Sequence, residues 1–333
     1  MLTKSLLAGS LLLVNAFASP IAQADSSSQT AQAQSSDGFQ INQTYIDQAN
    51  KQIKDIQSKQ NCYFTSEELY QHAVSFANDY LYPNNIKQAK SINSTYFSED
   101  VVGRIDITRN YEGRELNTEY LFGLFSDLQD SNTTNLIGYS DAFQLYAFSG
   151  SCNQYTISNI NNATFPGAGQ KIPFSINIWI KLNEKKEIAQ YDLSFLRWER
   201  LYEMIKLGGY RQISGNDSAT TIPEEGEKQL QHLLVESICG VHEKYCQKDY
   251  PQYDSKDACV EYLTNTRFGL SWEGGRDTIF CRSVHQNMIE YRPSVHCPHI
   301  GPTGGDMCTD EGTGYEEVTF NYQTIFKEPF IVV

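Results

Sequence analysis

The sequence predicts an α+β protein in two parts: helices followed by long antiparallel strands, then a smaller disulfide-rich domain of helices and loops. Three observations carry that prediction. Apolar residues recur at helical spacing in Leu69, Ala73, Phe76, Ala77 and Tyr80, and then switch to a period of two, most clearly in Phe174, Ile176, Ile178, Ile180 and Leu182. Beyond residue 228 the composition shifts, because six of the eight cysteines and five of the six histidines lie there. The length of 333 residues accommodates two modest domains. A formal charge of −14, from 26 basic and 40 acidic residues, argues against a nucleic-acid surface, which needs surplus Lys and Arg. The composition excludes a collagen, a coiled-coil rod and a polytopic membrane protein.

The chain opens with Lys4, an apolar stretch from Leu6 to Val14 and the step Ala16-Phe17-Ala18, the three parts of a secretory signal. Residues 1–18 are therefore expected to be removed, with Ala22-Gln23-Ala24 as a second cleavage site. No later run is long enough to anchor the chain in a bilayer. The expected location is extracellular, free or wall-associated. In an exported chain the sequons at Asn42, Asn93, Asn132, Asn162 and Asn216 become glycosylation acceptors, and the even number of cysteines becomes a disulfide framework.

Residues 19–38 are polar and have too little apolar surface to offset the entropy of ordering, so they are expected to be disordered. Over residues 39–60, Ile41, Tyr45, Ala49, Ile53 and Ile56 mark a thin amphipathic helix. The α+β domain is assigned to residues 61–210. Thr65 followed by Glu67 and Glu68 reads as a helix start, and Pro83 as its end. A second helix is expected over Glu115–Leu128. Strands are expected around Val101–Ile107, Asp141–Ala147 and Phe174–Leu182, with a return strand from Ile188 after the polar turn Glu184–Glu187. Residues 211–227, rich in Ser, Thr, Gly and Pro, read as a linker. Residues 228–333 form the Cys/His-rich domain. It opens with a helix carrying Leu230, Leu233, Leu234, Ile238 and Val241, has a second near Ser255, and is otherwise loop held by cross-links.

The stretch Phe97-Ser-Glu-Asp-Val-Val-Gly-Arg-Ile-Asp-Ile-Thr108, the helix at Glu115–Leu128 and the hairpin containing Lys186-Glu-Ile-Ala-Gln-Tyr-Asp192 resemble the NTF2-like (SnoaL-like) superfamily. The resemblance covers residues 63–205 and implies a cone in which a curved antiparallel sheet wraps helices around an apolar pocket. The whole chain also resembles a group of secreted fungal proteins of unassigned function. Glu115-Leu-Asn-Thr-Glu-Tyr-Leu-Phe-Gly-Leu-Phe125 and His296-Cys-Pro-His-Ile-Gly-Pro302 carry that second resemblance.

NTF2-like enzymes place an Asp, His or Tyr inside the cone, where desolvation moves its pKa into the working range. With the apolar alternation facing inward, the pocket is built from Ile105, Ile107, Phe143, Leu145, Phe174, Ile176, Ile178, Ile180, Tyr191, Leu193 and Phe195. None of these is a carboxylate or a histidine. Arg104, Asp106, Gln144, Lys181 and Asp192 fall on the outer face, which suits solvent or a second copy of the chain. The candidates for proton transfer are accordingly weak: His72, Asp106, Tyr146 and Tyr191. A second constellation, His285, Met288, His296 and His299, has ligands suited to copper or zinc. Pro298 and the Gly301–Gly305 loop read as a rigid turn there, with imidazoles bonded to backbone. No H-E-x-x-H, G-x-S-x-G, phosphate-loop or dinucleotide glycine pattern occurs. Cys62 and Cys152 are alone in the first domain. Cys239, Cys246, Cys259, Cys281, Cys297 and Cys308 allow three bridges in fifteen connectivities.

The reading that results is a non-catalytic binding or interaction protein, with a small apolar ligand in the cone and no required cofactor. Two alternatives stand beside it. One is an isomerase, dehydratase or cyclase acting on a lipophilic metabolite, and the other is a copper or zinc protein.

Overall fold

The computed structural model describes residues 43–59, 61–126 and 134–314. The expected signal segment, the polar segment and the sequons at Asn42 and Asn132 lie outside the described residues. Among those described, no helix is long and apolar enough to cross a membrane.

Helix α1 (Gln43–Gln57) has Tyr45 exposed and Ile53 half-buried. Helix α2 (Ser66–Tyr80) starts at a capping box, in which Glu68 N–H donates to Thr65 Oγ1 (3.3 Å) and Thr65 N–H donates to Glu68 Oε2 (2.9 Å). It buries the expected stripe, and His72 with it. A short helix, α3 (Asn84–Ser91), follows Pro83. Strands β1 (Phe97–Ile105) and β2 (Asn110–Glu112) come next, then helix α4 (Arg114–Thr118), which widens into a π turn over Glu119–Gly123. Every residue of that turn is buried.

The remaining strands are β3 (Tyr139–Ser151), β4 (Gln154–Phe165), β5 (Gln170–Leu182) and β6 (Ile188–Leu196). The sheet order is β2-β1-β6-β5-β4-β3. Pairing is antiparallel throughout except between β1 and β6, which run parallel. The sheet is therefore mixed rather than purely antiparallel, because the chain crosses over and returns β6 between β5 and β1.

Strand β4 is absent from the sequence reading. Its inward positions run Tyr155, Ile157, Asn159, Asn161, Ala163 and Phe165, all buried, and the two asparagines interrupt the apolar alternation. The Cys62–Cys152 disulfide and the Phe64–Cys152 bridge tie the segment before α2 to the end of β3.

Helix α5 (Trp198–Ser214) and helix α6 (Glu224–Val241) reduce the expected linker to a loop over residues 215–223. The residues misread as linker are polar because they form the exposed ends of two helices. Helices α7 (Lys256–Thr264), α8 (Ile279–His285) and α9 (Pro293–Ile300) complete the second part. Three disulfides cross-link it: Cys239–Cys259, Cys246–Cys297 and Cys281–Cys308.

The second part does not rest on these bridges alone. Leu230, Leu234 and Ile238 of α6, with Ile279, Phe280 and Val284 of α8, belong to the same buried cluster as the sheet's inner face. Hydrogen bonds cross between the two parts: Arg109 to Met307 O (3.0 Å), Gln286 Nε2 to Thr134 O (2.9 Å) and Asn287 Nδ2 to Leu124 O (2.9 Å).

Candidate functional site

The inner face of the sheet is apolar apart from Asn159 and Asn161 of β4, and the space left against it is small. Helix α8 packs across the concave side. The space left between Ile105, Leu121, Leu193, Phe195, Phe280 and Val284 is about 30 Å³, roughly the share of one water molecule. Phe280 is 1% exposed, with its ring 4.7 Å from that of Tyr202 and 6.4 Å from that of Trp198.

Ile105, Ile107, Leu193 and Phe195 of the expected pocket line this space. Phe174, Ile176, Ile178 and Tyr191 are buried outside its lining, while Phe143 and Leu145, on edge strand β3, are half-buried. The expected chamber is thus a packed core, because the second domain supplies the side chains that fill it.

The four candidates for proton transfer lie apart. His72 Nδ1 is 2.9 Å from Tyr155 Oη, and burial holds its ring at about 4, well below the usual histidine range. Asp106 accepts from the backbone N–H of Phe195 (3.2 Å) at the sheet margin. Tyr146 is half exposed on β3. Tyr191 donates to Asn117 Oδ1 (2.8 Å), and its ring covers Gly103, where a Cβ would stand 2.0 Å from it. On the outer face Arg104 pairs with Asp192 through two contacts of 2.9 and 2.6 Å.

The structure does bring three of the sequence-predicted residues together. His296 and His299 sit three apart on α9, which is a helix and not the expected rigid turn, and His285 ends α8. Each offers a ring nitrogen within 4.8 Å of the other two, and all three are buried. His296 Nδ1 lies 3.2 Å from His299 Nδ1. Behind them, His299 Nε2 is 2.9 Å from Asp306 Oδ1, and His296 Nε2 is 3.2 Å from Glu119 Oε1. His285 Nδ1 is 3.2 Å from Tyr120 Oη.

These rings were expected to bond backbone; instead His285 faces Tyr120, His299 faces Asp306, and His296 faces His299. Burial, aided by the neighbouring positive groups, holds His285 well below the usual range. Burial also lowers His296, against the opposing pull of Glu119. The neutral imidazole that results is the form that binds a metal. The sulfurs of Cys281 and Cys308 also approach His285, but they are joined to each other. Met288 is seated against Gly123, which leaves three imidazoles as the converging set.

Glu119, Tyr120 and Asp306 escaped the sequence reading. Glu119 is 3% exposed and 3.1 Å from Arg292. A signal was nonetheless present. The two stretches 115–125 and 296–302, quoted for one resemblance, meet in space at this cluster.

A much larger recess lies elsewhere. A groove of about 1160 Å³ runs between α5, α6 and the loop 267–273. The loop is held from below: Trp198 Nε1 donates to Ser271 O (2.6 Å), Tyr202 Oη to Gly269 O (3.1 Å) and Leu270 N–H to the buried Glu273 (2.8 Å). Glu273 also pairs with Arg267. This fixed loop presents Trp272 (52% exposed) and Leu270 (58% exposed), facing Met204 of α5 across a floor that includes Phe268. Lys206 Nζ stands 4.3 Å over the Phe268 ring.

Comparison with known proteins gives two adjoining family matches, the BfoA N-terminal domain over residues 74–193 and the BfoA family C-terminal domain over residues 197–311. The chain is 38% identical over 273 residues to the Aurasperone B biosynthesis cluster protein A of Aspergillus niger, covering 81% of this chain and 85% of that one. It is equally similar to the Bifonsecin B biosynthesis cluster protein A of Aspergillus brasiliensis, covering 87% of that chain.

Solved structures similar to the first domain include an LEH-like epoxide hydrolase of M. tuberculosis (TM-score 0.31, 8% identity, 44% of this chain and 95% of that one). A steroid delta-isomerase from Pseudomonas aeruginosa (TM-score 0.28, 8% identity, 45% and 94%) and a de novo designed NTF2 fold protein (TM-score 0.28, 13% identity, 43% and 96%) are also similar. No activity transfers at these identities. The first domain combines helices with a six-stranded sheet of order β2-β1-β6-β5-β4-β3.

Proposed function

The chain belongs to the BfoA family, and from that premise we propose that it serves a biosynthetic pathway as a secreted glycoprotein that binds a small apolar molecule without transforming it. The ligand site proposed is the groove beside Trp272, not the cone. The groove is the observation that carries this reading: it is of small-molecule size, whereas the cone leaves room for about one water. A flat apolar ligand would stack on the face of the Trp272 indole opposite the Arg276 guanidinium, which stands 4.9 Å over the ring, and bury Leu270 and Met204, while Lys206 and Arg267 offer polar contacts at the margin. The names of the relatives support a pathway intermediate or product as the ligand. Secretion is supported by four disulfides that leave no free cysteine among the described residues. Glycosylation at Asn93, Asn162 and Asn216 is supported by their exposure.

The catalytic alternative has less behind it, since none of His72, Asp106, Tyr146 and Tyr191 lines the groove or the small space against the sheet. A metal-binding reading, with copper or zinc, is favoured by the convergence of the three imidazoles and is independent of the groove.

The test is solvent extraction and mass spectrometry of protein purified from culture medium, followed by calorimetric titration of the extracted compound into the protein. Wild type should bind, and Trp272→Ala should bind about tenfold to a hundredfold more weakly, for a loss of roughly 1.5–3 kcal/mol of aromatic burial. Equal binding by the two proteins would refute the groove assignment.

A further inference from the structure

We propose that His285, His296 and His299 hold one zinc ion, and that the ion ties the second domain to the first. Proton bookkeeping around the cluster leads there. His299 Nε2 faces Asp306 Oδ1 at 2.9 Å and His296 Nε2 faces Glu119 Oε1 at 3.2 Å. Asp306 takes the hydrogen of His299 Nε2, so His299 Nδ1 carries a lone pair; His296 Nε2 makes no hydrogen bond, but the Glu119 carboxylate beside it favours a hydrogen there, which leaves a lone pair on His296 Nδ1 as well. Those two Nδ1 atoms stand 3.2 Å apart. Moving a hydrogen onto one Nδ1 only shifts the clash, because the same ring then turns a bare Nε2 toward its carboxylate. No pair of neutral tautomers satisfies all three contacts. Either one added proton or a metal cation between the two Nδ1 atoms does, and the approach of a third buried imidazole, His285, to within 4.8 Å favours the metal.

The dimensions fit. Two nitrogens bound at about 2.0–2.1 Å with a tetrahedral angle stand about 3.3 Å apart. The arrangement also supplies what a bound metal asks of its surroundings, a carboxylate behind each of two imidazoles to fix the tautomer and raise ligand basicity. Arg292, 3.1 Å from Glu119, balances the buried charge behind His296.

Zinc suits the set better than copper. The thioether that would favour cuprous ion is seated against Gly123, and Cys281 is bonded to Cys308. All three rings are 3% exposed or less, so the site is closed and its role structural. The fourth position falls to an oxygen of the first domain, Tyr120 Oη, 3.2 Å from His285 Nδ1. The π turn that carries Glu119 and Tyr120 is thereby clamped to α8 and α9.

The experiment uses the full oxidised chain secreted from a eukaryotic host and purified without chelators. Elemental analysis should find about one zinc per chain. A strong chelator should remove it and lower the melting temperature, and added zinc should restore both. Cobalt added to the stripped protein should give the visible bands of a tetrahedral site.

His299→Ala should lose the metal. Because that variant risks misfolding, Asp306→Asn, an exposed change, serves as the second. It should keep the wild-type circular dichroism spectrum and bind zinc about 10–100-fold more weakly. Less than about 0.1 equivalent of metal, together with no uptake of zinc or cobalt by stripped protein, would overturn the proposal. Stoichiometric copper would overturn the assignment to zinc. Unchanged affinity in Asp306→Asn would overturn the placing of His299.

Discussion

Truncating Phe280 to alanine tests whether the second domain closes the cone. The ring is 1% exposed and lies against Tyr202 and Trp198, beside a space of about 30 Å³. Removing it frees about 100 Å³ in a core that relaxes only partly, which at roughly 24 cal/mol per Å³ costs about 2.4 kcal/mol. The lost transfer of the ring from water adds about 2 kcal/mol, for a total near 4 kcal/mol. The enlarged cavity approaches the roughly 150 Å³ known to admit benzene in another protein. Urea unfolding should therefore show the loss, and benzene should raise the melting temperature of Phe280→Ala while leaving wild type unmoved. A loss under about 1 kcal/mol, or stabilisation of wild type by benzene, would refute the picture of a plugged cone.

Other consequences follow from the same contacts. Arg292→Met should cost about 3–5 kcal/mol because it strips Glu119, 3% exposed, of its cation, whereas Glu115→Gln on the other side of Arg292 should cost less than about 1 kcal/mol in the same denaturant titration. His72 has a folded pKa near 4, below its ordinary 6.5, so between those values the unfolded chain binds the extra proton and stability falls as pH falls. The contribution is about 3 kcal/mol in full, and His72→Gln should flatten the melting-temperature profile in that window. Replacing both Cys62 and Cys152 by serine opens a link across a sequence separation of 90 and should cost about 4–5 kcal/mol on the loop-entropy estimate.

The legible parts of this chain were those with one dominant period. Helix α2 was readable because a capping box precedes a clean apolar stripe, and β5 because every second residue is apolar from Ile172 to Leu182. Strand β4 was not, since Asn159 and Asn161 face inward among Ile157 and Ala163. The helical residues 119–123 are buried on all sides, which no single-face pattern anticipates. The three histidines could be named from sequence, but their partners could not. Glu119, Tyr120 and Asp306 come from distant segments, and only the packing of the π turn against α8 and α9 brings them together. The filling of the cone by Phe280 was hidden for the same reason: nothing local tells a helix whether its apolar face covers its own domain or its neighbour.

The central claim is that ligand binding belongs to the open groove and not to the cone. Native mass spectrometry of purified wild type, Trp272→Ala and Phe280→Ala, each loaded with the extracted compound, tests it most directly. The account predicts that wild type and Phe280→Ala retain the ligand while Trp272→Ala releases it. Release by Phe280→Ala with retention by Trp272→Ala would contradict it.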